Sequence, residues 1–373
     1  MLTRRELLIG GAALAACART PAEEDKRVMT TEPKIKQAAE LMQRFAERTG
    51  LTGEAAATRR YLWTDAFAVC NFIGLHRATG DSRWVPLAAK LVERVHEVLA
   101  PRRDLEHPTA AGLRIGKKLP ERGVDDAYDE ELEWDRDGQY FHYLTQWMHA
   151  LDQLSHELTQ PKLTRWACEL AQAAHRAFVY GSEGKKRMYW KMSIDLTRPL
   201  VASMGQHDPL DGYATCRALA TSWPPPLACS ELEGAIADFR SMIVPRALAT
   251  ADPLGIGGLL VAAHRLHHSN VDRELVEVMI VAARIGLQQY AMQRQRPAEQ
   301  RLGFRELGLA IGLAAAESLP GTELRDFRSL RAQIEEFWIE PTHRTNRTWR
   351  EHEDINDVML ATALVPAGFL DRG

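Results

Sequence analysis

The chain lacks several common signatures. Five cysteines occur in 373 residues, and no CxxC pair is among them. A zinc ribbon or a dithiol redox centre is therefore excluded. No phosphate-cradling glycine loop occurs, and no GxSxG nucleophile elbow. Runs of β-branched residues with period two are nearly missing, which excludes a sheet-based fold. Charge of one sign is not in excess. The formal net charge is −3, and nucleic-acid binding calls for a basic surface that this balance does not provide. No Pro/Gly/Ser-rich linker divides the chain after its first residues, so one large domain over 33–373 is expected.

The first residues, MLTRRELLIGGAALAAC, have a different character. Leu7 to Ala16 is apolar but well short of the roughly 20 residues needed to span a membrane. Thr3-Arg4-Arg5-Glu6-Leu7-Leu8 resembles a twin-arginine export motif, with Leu7 where Phe is commoner. Leu14-Ala15-Ala16-Cys17 resembles a lipobox. The resemblance implies an exported protein lipidated at Cys17, held in the periplasm or at the cell surface, and touching the membrane through its lipid only. Residues 1–17 are then the signal and 18–32, small and charged, a flexible tether. Folded export does not call for disulfides. Cys70, Cys168 and Cys216 lie in apolar helical runs and read as small buried hydrophobes.

What remains is helical, in two alternating kinds. Pro33–Arg48, Trp84–Leu99, Lys162–Phe178, Ser230–Val244, Arg273–Tyr290 and Glu323–Trp338 are amphipathic. In Trp84–Leu99 the residues Leu87, Leu91, Val95 and Val98 form a stripe, with Lys90, Glu93, Arg94 and Glu97 mostly off it. Leu62–Ala78, Gln139–Leu158, Asp211–Ala220, Pro253–His264, Phe304–Ala316 and Asp357–Leu370 are apolar or small around most of their circumference, so protein must surround them. Six surface helices alternating with six enclosed ones predict an all-α ring of six hairpins, enclosed helices inside. On this pattern the chain resembles the six-hairpin glycosidase-like superfamily, the (α/α)6 toroid, over residues 33–373.

Long connections point to the functional face. Ala100–Asp137 and Gly181–His207 both run from an outer helix to the next inner one, as does the polar, aromatic Glu340–Asp354. Long loops within a compact domain are usually functional. The pocket mouth is therefore expected at the N-termini of the inner helices, where enzymes of the resembled superfamily keep their active sites.

Candidate chemistry clusters on these loops. The first ends in LEWDRDGQYFH, with Glu133, Trp134, Asp135, Tyr140 and His142; Asp137, before Gly138, is placed to cap the second inner helix. The second brings Trp190, Asp195, Arg198, His207 and Asp208. Asp208-Pro209 reads as a cap followed by proline at the first helical position, with Asp211 in the first turn beside the helix dipole. The third loop brings Trp349. In HRLHH (264–268) two histidines at helical spacing would share a face, but they sit at a helix C-terminus, where cations favour the dipole; no metal or cofactor is expected.

Two carboxyl groups flanking a glycosidic bond can act as acid and base, and flat aromatic rings stack on sugars. The expected function is a carbohydrate-active enzyme of the bacterial envelope, first a glycoside hydrolase acting on an oligosaccharide or polysaccharide. Asp135 and Asp208 form the leading pair, followed by Asp195 and Glu133. Trp134, Tyr140, Trp190 and Trp349 are the expected sugar platforms, and His142, Arg198 and His207 the hydroxyl- or acid-binding groups. A lyase, a sugar epimerase working through His142 and His207, and a non-catalytic glycan- or protein-binding lipoprotein are the alternatives.

Overall fold

A computed structural model describes residues 21–53, 59–222, 231–291 and 296–372. Cys17 and its lipobox, the arginine pair and Ser230 lie outside these residues. The helices are α1 (Pro21–Arg48), α2 (Leu62–Thr79), α3 (Trp84–Leu99), α4 (Glu130–Asp135), α5 (Phe141–Leu158), α6 (Pro161–Phe178), α7 (Asp208–Ala220) and α8 (Glu233–Met242). They continue with α9 (Pro253–His268), α10 (Arg273–Ala291), α11 (Gly303–Ala315), α12 (Arg328–Ile339), α13 (Arg347–Glu351), α14 (Glu353–Leu364) and α15 (Ala367–Leu370).

The inner helices pack in a closed circuit: α2 on α5, α5 on α7, α7 on α9, α9 on α11, α11 on α14, and α14 back on α2. Outside it, α1 covers α14 and α2, α3 packs on α2, α6 on α5, α8 on α7, α10 on α9, and α12 on α11. This is the (α/α)6 toroid. Side-chain periodicity explains the two rings. In α3 the buried residues are Trp84, Ala88, Leu91, Val92, Val95 and Leu99, one stripe at helical spacing. In α2 every residue from Thr64 to Leu75 is buried, because neighbours stand on all sides.

Small residues set how closely the inner helices approach. A Cβ on Gly257 of α9 would collide with the Gly308 carbonyl oxygen of α11, and one on Gly312 with the Gly257 backbone. Gly368 of α15 is pressed in the same way against the Cys70 carbonyl of α2.

Four local features differ from expectation. α1 begins at Pro21, within the stretch read as a tether, and carries Pro33 inside it. The last inner helix is split into α14 and α15 at Pro366, since proline lacks an amide donor and disfavours a helical residue before it. Cys168 is disulfide-bonded rather than a lone buried thiol, with its partner outside the described residues; Cys70 and Cys216 are free and buried. Short strands also appear where none was foreseen. β1 (Gln139–Tyr140), β4 (Lys191–Met192) and β5 (Pro199–Val201) form one antiparallel sheet, and β2 (Val179–Tyr180) pairs with β3 (Arg187–Met188). The first sheet ties the second long loop to the entrance of α5. Two- and three-residue strands are too short to leave a period in the sequence.

Candidate active site

A pocket of ≈1330 Å3 opens at the N-termini of the inner helices, on the expected face. It exceeds the roughly 300–1,000 Å3 typical of small-molecule sites. Its wall carries Tyr61, Trp63 and Asp65 of the α2 entrance, His142 and Tyr143 of α5, and His207, Asp208 and Asp211 of α7. Arg305 of α11 and His352 to Asp354 before and in α14 complete that rim, while the first loop brings Lys117, Trp134 and Asp135 and the second Trp190.

The first loop is held over the mouth by a buried ion pair. Lys191 is fully buried, and its Nζ donates to Glu133 Oε1 at 2.8 Å, to the Glu133 carbonyl at 2.7 Å and to the Arg136 carbonyl at 2.9 Å. Arg122 Nε donates to Glu133 Oε2 at 2.9 Å. Burial pulls the Lys191 ammonium below its ordinary value, and the Glu133 carboxylate opposes that shift. Glu133 is thus a fastening for the loop and does not reach the pocket. Asp137 also differs from expectation. Its Oδ1 accepts from the Gly116 and Gly138 amides, both at 3.0 Å, and the cap position of α5 is Tyr140, with no side-chain cap. Asp137 therefore ties two loop segments together, which leaves Asp135, two residues earlier, exposed on the pocket wall.

The remaining expected residues divide. Asp195 Oδ1 accepts from Ser193 Oγ at 2.6 Å and from the Thr197 hydroxyl and amide at 2.8 and 3.1 Å, so it organises its own turn outside the pocket lining. Arg198 donates to the Arg122 carbonyl and lies 4.0 Å from Glu121, again outside the lining. Trp349 is buried against Trp338, ring centroids 5.1 Å apart, and is core rather than platform. Tyr140 is buried behind the wall, 5.1 Å from Trp190 and 5.4 Å from His142 between ring centroids. Trp134, Trp190, His142, His207, Asp135 and Asp208 all line the pocket. Trp134 and Trp190 meet edge to face at 4.9 Å, and Trp63 lies 5.3 Å from Tyr143. The aromatic wall therefore also includes Trp63, at the expected entrance of the first inner helix, together with Tyr61 and Tyr143, which adjacency in sequence did not connect to the loops.

Electrostatics separates the acids. At the α2 entrance Asp65 is clasped by Arg60, with Nε to Oδ2 at 2.9 Å. At the α11 entrance Arg301 Nε donates to both oxygens of Glu306, at 2.8 and 3.0 Å, and Trp338 adds a bond at 2.8 Å. The two sites use the same device: an arginine two residues before the helix and an acid five residues after the arginine. Asp354 and Asp357 in α14 both bind Arg48. Asp252 caps α9 and binds Arg305 at 2.7 Å. Asp208 and Asp211 at the α7 entrance have no such arginine or lysine among the described residues.

Asp208 is at the first helical position, with His207 in the cap position, and so does not cap α7. Its Oδ2 is buried without a hydrogen-bond partner. Burial, then the neighbouring Asp211, push its carboxyl well above the ordinary range, against a smaller opposing pull from the Gly205 amide. Burial raises Asp211 to about 7, opposed by the field of Arg265. His142 Nδ1 lies 3.6 Å from Asp208 Oδ1 and is likewise without a hydrogen-bond partner. Burial lowers His142 to about 4, so the imidazole is neutral at pH 7. His207 Nε2 lies 2.8 Å from the Leu248 carbonyl, fitting an Nε2–H donor, and burial lowers that imidazole too. The entrance of α7 thus holds two carboxyl groups biased toward the protonated form, beside a neutral histidine with a free ring nitrogen.

Comparison with known proteins bears on the fold. No protein-family model matches the chain, and no curated protein does. Solved structures do match. A GH76 alpha-mannanase of Bacteroides thetaiotaomicron superposes with a TM-score of 0.59 at 8% identity, covering 89% of this chain and 96% of that one. A sugar epimerase from a ruminal bacterium gives 0.51 at 11% identity, covering 82% and 87%. At such identities the likeness establishes the architecture alone. The toroid is therefore shared with both.

Proposed function

We propose that the protein is a carbohydrate-active enzyme of the bacterial envelope, and within that class a glycoside hydrolase. One observation carries this reading: among the described residues, Asp208 and Asp211, the acids in the first turn of α7, are not bonded to an arginine or lysine as Asp65, Glu306, Asp354 and Asp357 are, and they face an aromatic-walled pocket large enough for an oligosaccharide. A carboxyl group kept neutral near pH 7 is suited to protonate a leaving glycosidic oxygen. Asp208 takes that role, with His142 against it. Asp135, on the loop above, is the opposite carboxylate, acting on water or on the anomeric carbon. Trp63, Tyr143, Trp190 and Trp134 bind sugar faces. The fold shared with a mannanase and an epimerase agrees with a carbohydrate substrate. The Cys168 disulfide agrees with an oxidising compartment, as the twin-arginine and lipobox-like residues imply.

One observation favours a second reading. His142 and His207 are both neutral imidazoles in the pocket wall, as a sugar epimerase abstracting and returning a proton would need. A screen of bacterial and plant oligosaccharides with the protein, scored for both new reducing ends and isomerised sugars, separates the two. Reducing ends that disappear with Asp208→Asn and with Asp135→Asn support the hydrolase. Isomer formation that depends on His142 and not on Asp135 replaces it with the epimerase. Hydrolysis unaffected by both Asp variants removes the residue assignment.

A further inference from the structure

Arg265 occupies an unusual position. It stands in the last turn of α9, whose first residue, Pro253, is at the mouth. At 1.5 Å per residue the two are about 18 Å apart along the helix, so Arg265 lines the closed end of the pocket. The wall there includes Val261 and Ala262 of its own helix and Phe369, and Asp211, Arg372 and Asp152 act on Arg265 at longer range. Its guanidinium carbon lies 5.4 Å from the Phe369 ring centroid. One terminal nitrogen is buried without a hydrogen-bond partner. Among the described residues no carboxylate is within ion-pair distance. The nearby acid that acts on it most, Asp211, does so through its field and not through a bond.

The other arginines at the entrances, Arg48, Arg60, Arg301 and Arg305, are bound to acids of the protein. Arg265 is not, and a guanidinium stays charged at neutral pH even when burial lowers it to about 10. A charge withdrawn from bulk water with no carboxylate bonded to it is destabilising. Water in the pocket can solvate it. A ligand that displaces this water must replace those hydrogen bonds, and a carboxylate matches the planar fork of a guanidinium far better than neutral hydroxyls do.

We infer that the closed end of the pocket is a subsite for an acidic sugar, in which Arg265 binds the carboxylate of a uronic acid residue. This rests on the carbohydrate reading of the pocket and narrows its substrate class. Neighbouring groups fit the assignment. Gln146 Oε1, His142 Nδ1 and Asp208 Oδ2 are buried polar atoms without partners in the same pocket, the latter two nearer its mouth and available to hydroxyls of the sugars that follow the uronate. The protonated bias of Asp208 and Asp211 also limits their repulsion of an anionic ligand.

Calorimetric titration of the full chain tests the subsite with glucuronate and galacturonate, their neutral counterparts glucose and galactose, and glucose 6-sulfate. The expected result is binding of a uronate about tenfold tighter than its neutral counterpart. Arg265→Gln should remove that preference while neutral-sugar binding stays within about twofold, and Arg265→Lys should restore part of it. Should Arg265→Gln fail to fold, salt titration of the wild-type protein carries the test: added salt should weaken uronate binding and leave neutral sugars unaffected. Equal affinity for acidic and neutral sugars, no binding of either, or a preference that survives Arg265→Gln would overturn the inference. Tighter binding of the sulfate ester overturns the uronate assignment. The hydrolase reading fails separately: turnover of neutral glycans without acid preference removes only the subsite, whereas Arg265-dependent uronate binding without turnover removes only the hydrolase.

Discussion

His142 Nδ1 lies 3.6 Å from Asp208 Oδ1, and the same burial that favours the neutral imidazole favours the protonated carboxyl. The two groups share one proton economy: charging either one in place depends on the state of the other. In catalysis this predicts a rate that falls on the alkaline side as Asp208 loses its proton. Asp208→Asn should lower kcat by about 100-fold or more with a smaller effect on KM. His142→Gln should move the alkaline limb of the kcat/KM profile more than it changes KM. An unmoved limb would separate His142 from the acid.

Stability should depend on pH through Asp211. Its folded-state value is raised from 3.8 to about 7, so the folded chain holds the proton more tightly than the unfolded one. The resulting stabilisation is fully present below the unfolded value and is lost as pH rises through about 7. Asp211→Asn removes the buried charge. Its melting temperature relative to wild type should therefore increase between pH 5 and pH 8, with a gain of about 1–3 kcal/mol at the alkaline end. A difference that is constant over this interval would remove Asp211 from the titration.

His142 predicts the opposite slope. Its folded-state value is lowered from 6.5 to about 4, so below the unfolded value the unfolded chain binds the proton better. This group costs stability as pH falls from about 6.5 toward 4. Replacement by Gln should flatten the acid side of the wild-type stability curve, measured by denaturant unfolding at pH 4.5 and 7. A curve of unchanged steepness would mean that other groups govern the acid limb.

The loop fastening can be tested by breaking it. Removing one partner of a buried ion pair typically costs about 3–5 kcal/mol, whereas replacing both with apolar groups costs much less. Glu133→Gln should therefore destabilise the protein strongly and weaken substrate binding through the loop that carries Trp134 and Asp135. The double variant Glu133→Leu with Lys191→Met should recover part of the stability, since Arg122 and the two backbone carbonyls still lose a partner. Full additivity of the two single losses would show that the pair is not coupled.

Loss of the Cys168 disulfide should also be measurable. Reduction, or Cys168→Ser, is expected to cost about 2–4 kcal/mol, read as a lower melting temperature without change in the pH profile of activity. Equal melting temperatures with and without reductant would make the bond thermally silent.

The architecture follows from the helix pattern alone. The stripe of α3 and the uninterrupted apolar circumference of α2 dictate which helix stands outside and which inside, because only a ring of neighbours can cover a helix without a polar face. The mouth was legible for the same reason: long outer-to-inner connections can emerge only at one end of such a ring. Trp134, Asp135, His142, Trp190, His207 and Asp208 could be named because they lie on or beside those connections.

Tertiary structure alone decided which acids are spent and which are free. Glu133 and Asp195 have the same chemistry as Asp135 and lie on the same loops, yet one is consumed by Lys191 and the other by its own turn. Arg265 was legible only as a cation at a helix end; its place at the pocket floor needs the ring to close around it. Periodicity fixes the face on which a side chain stands, but a charge is free or satisfied according to contacts between residues far apart in the chain, and those exist only once the helices have packed.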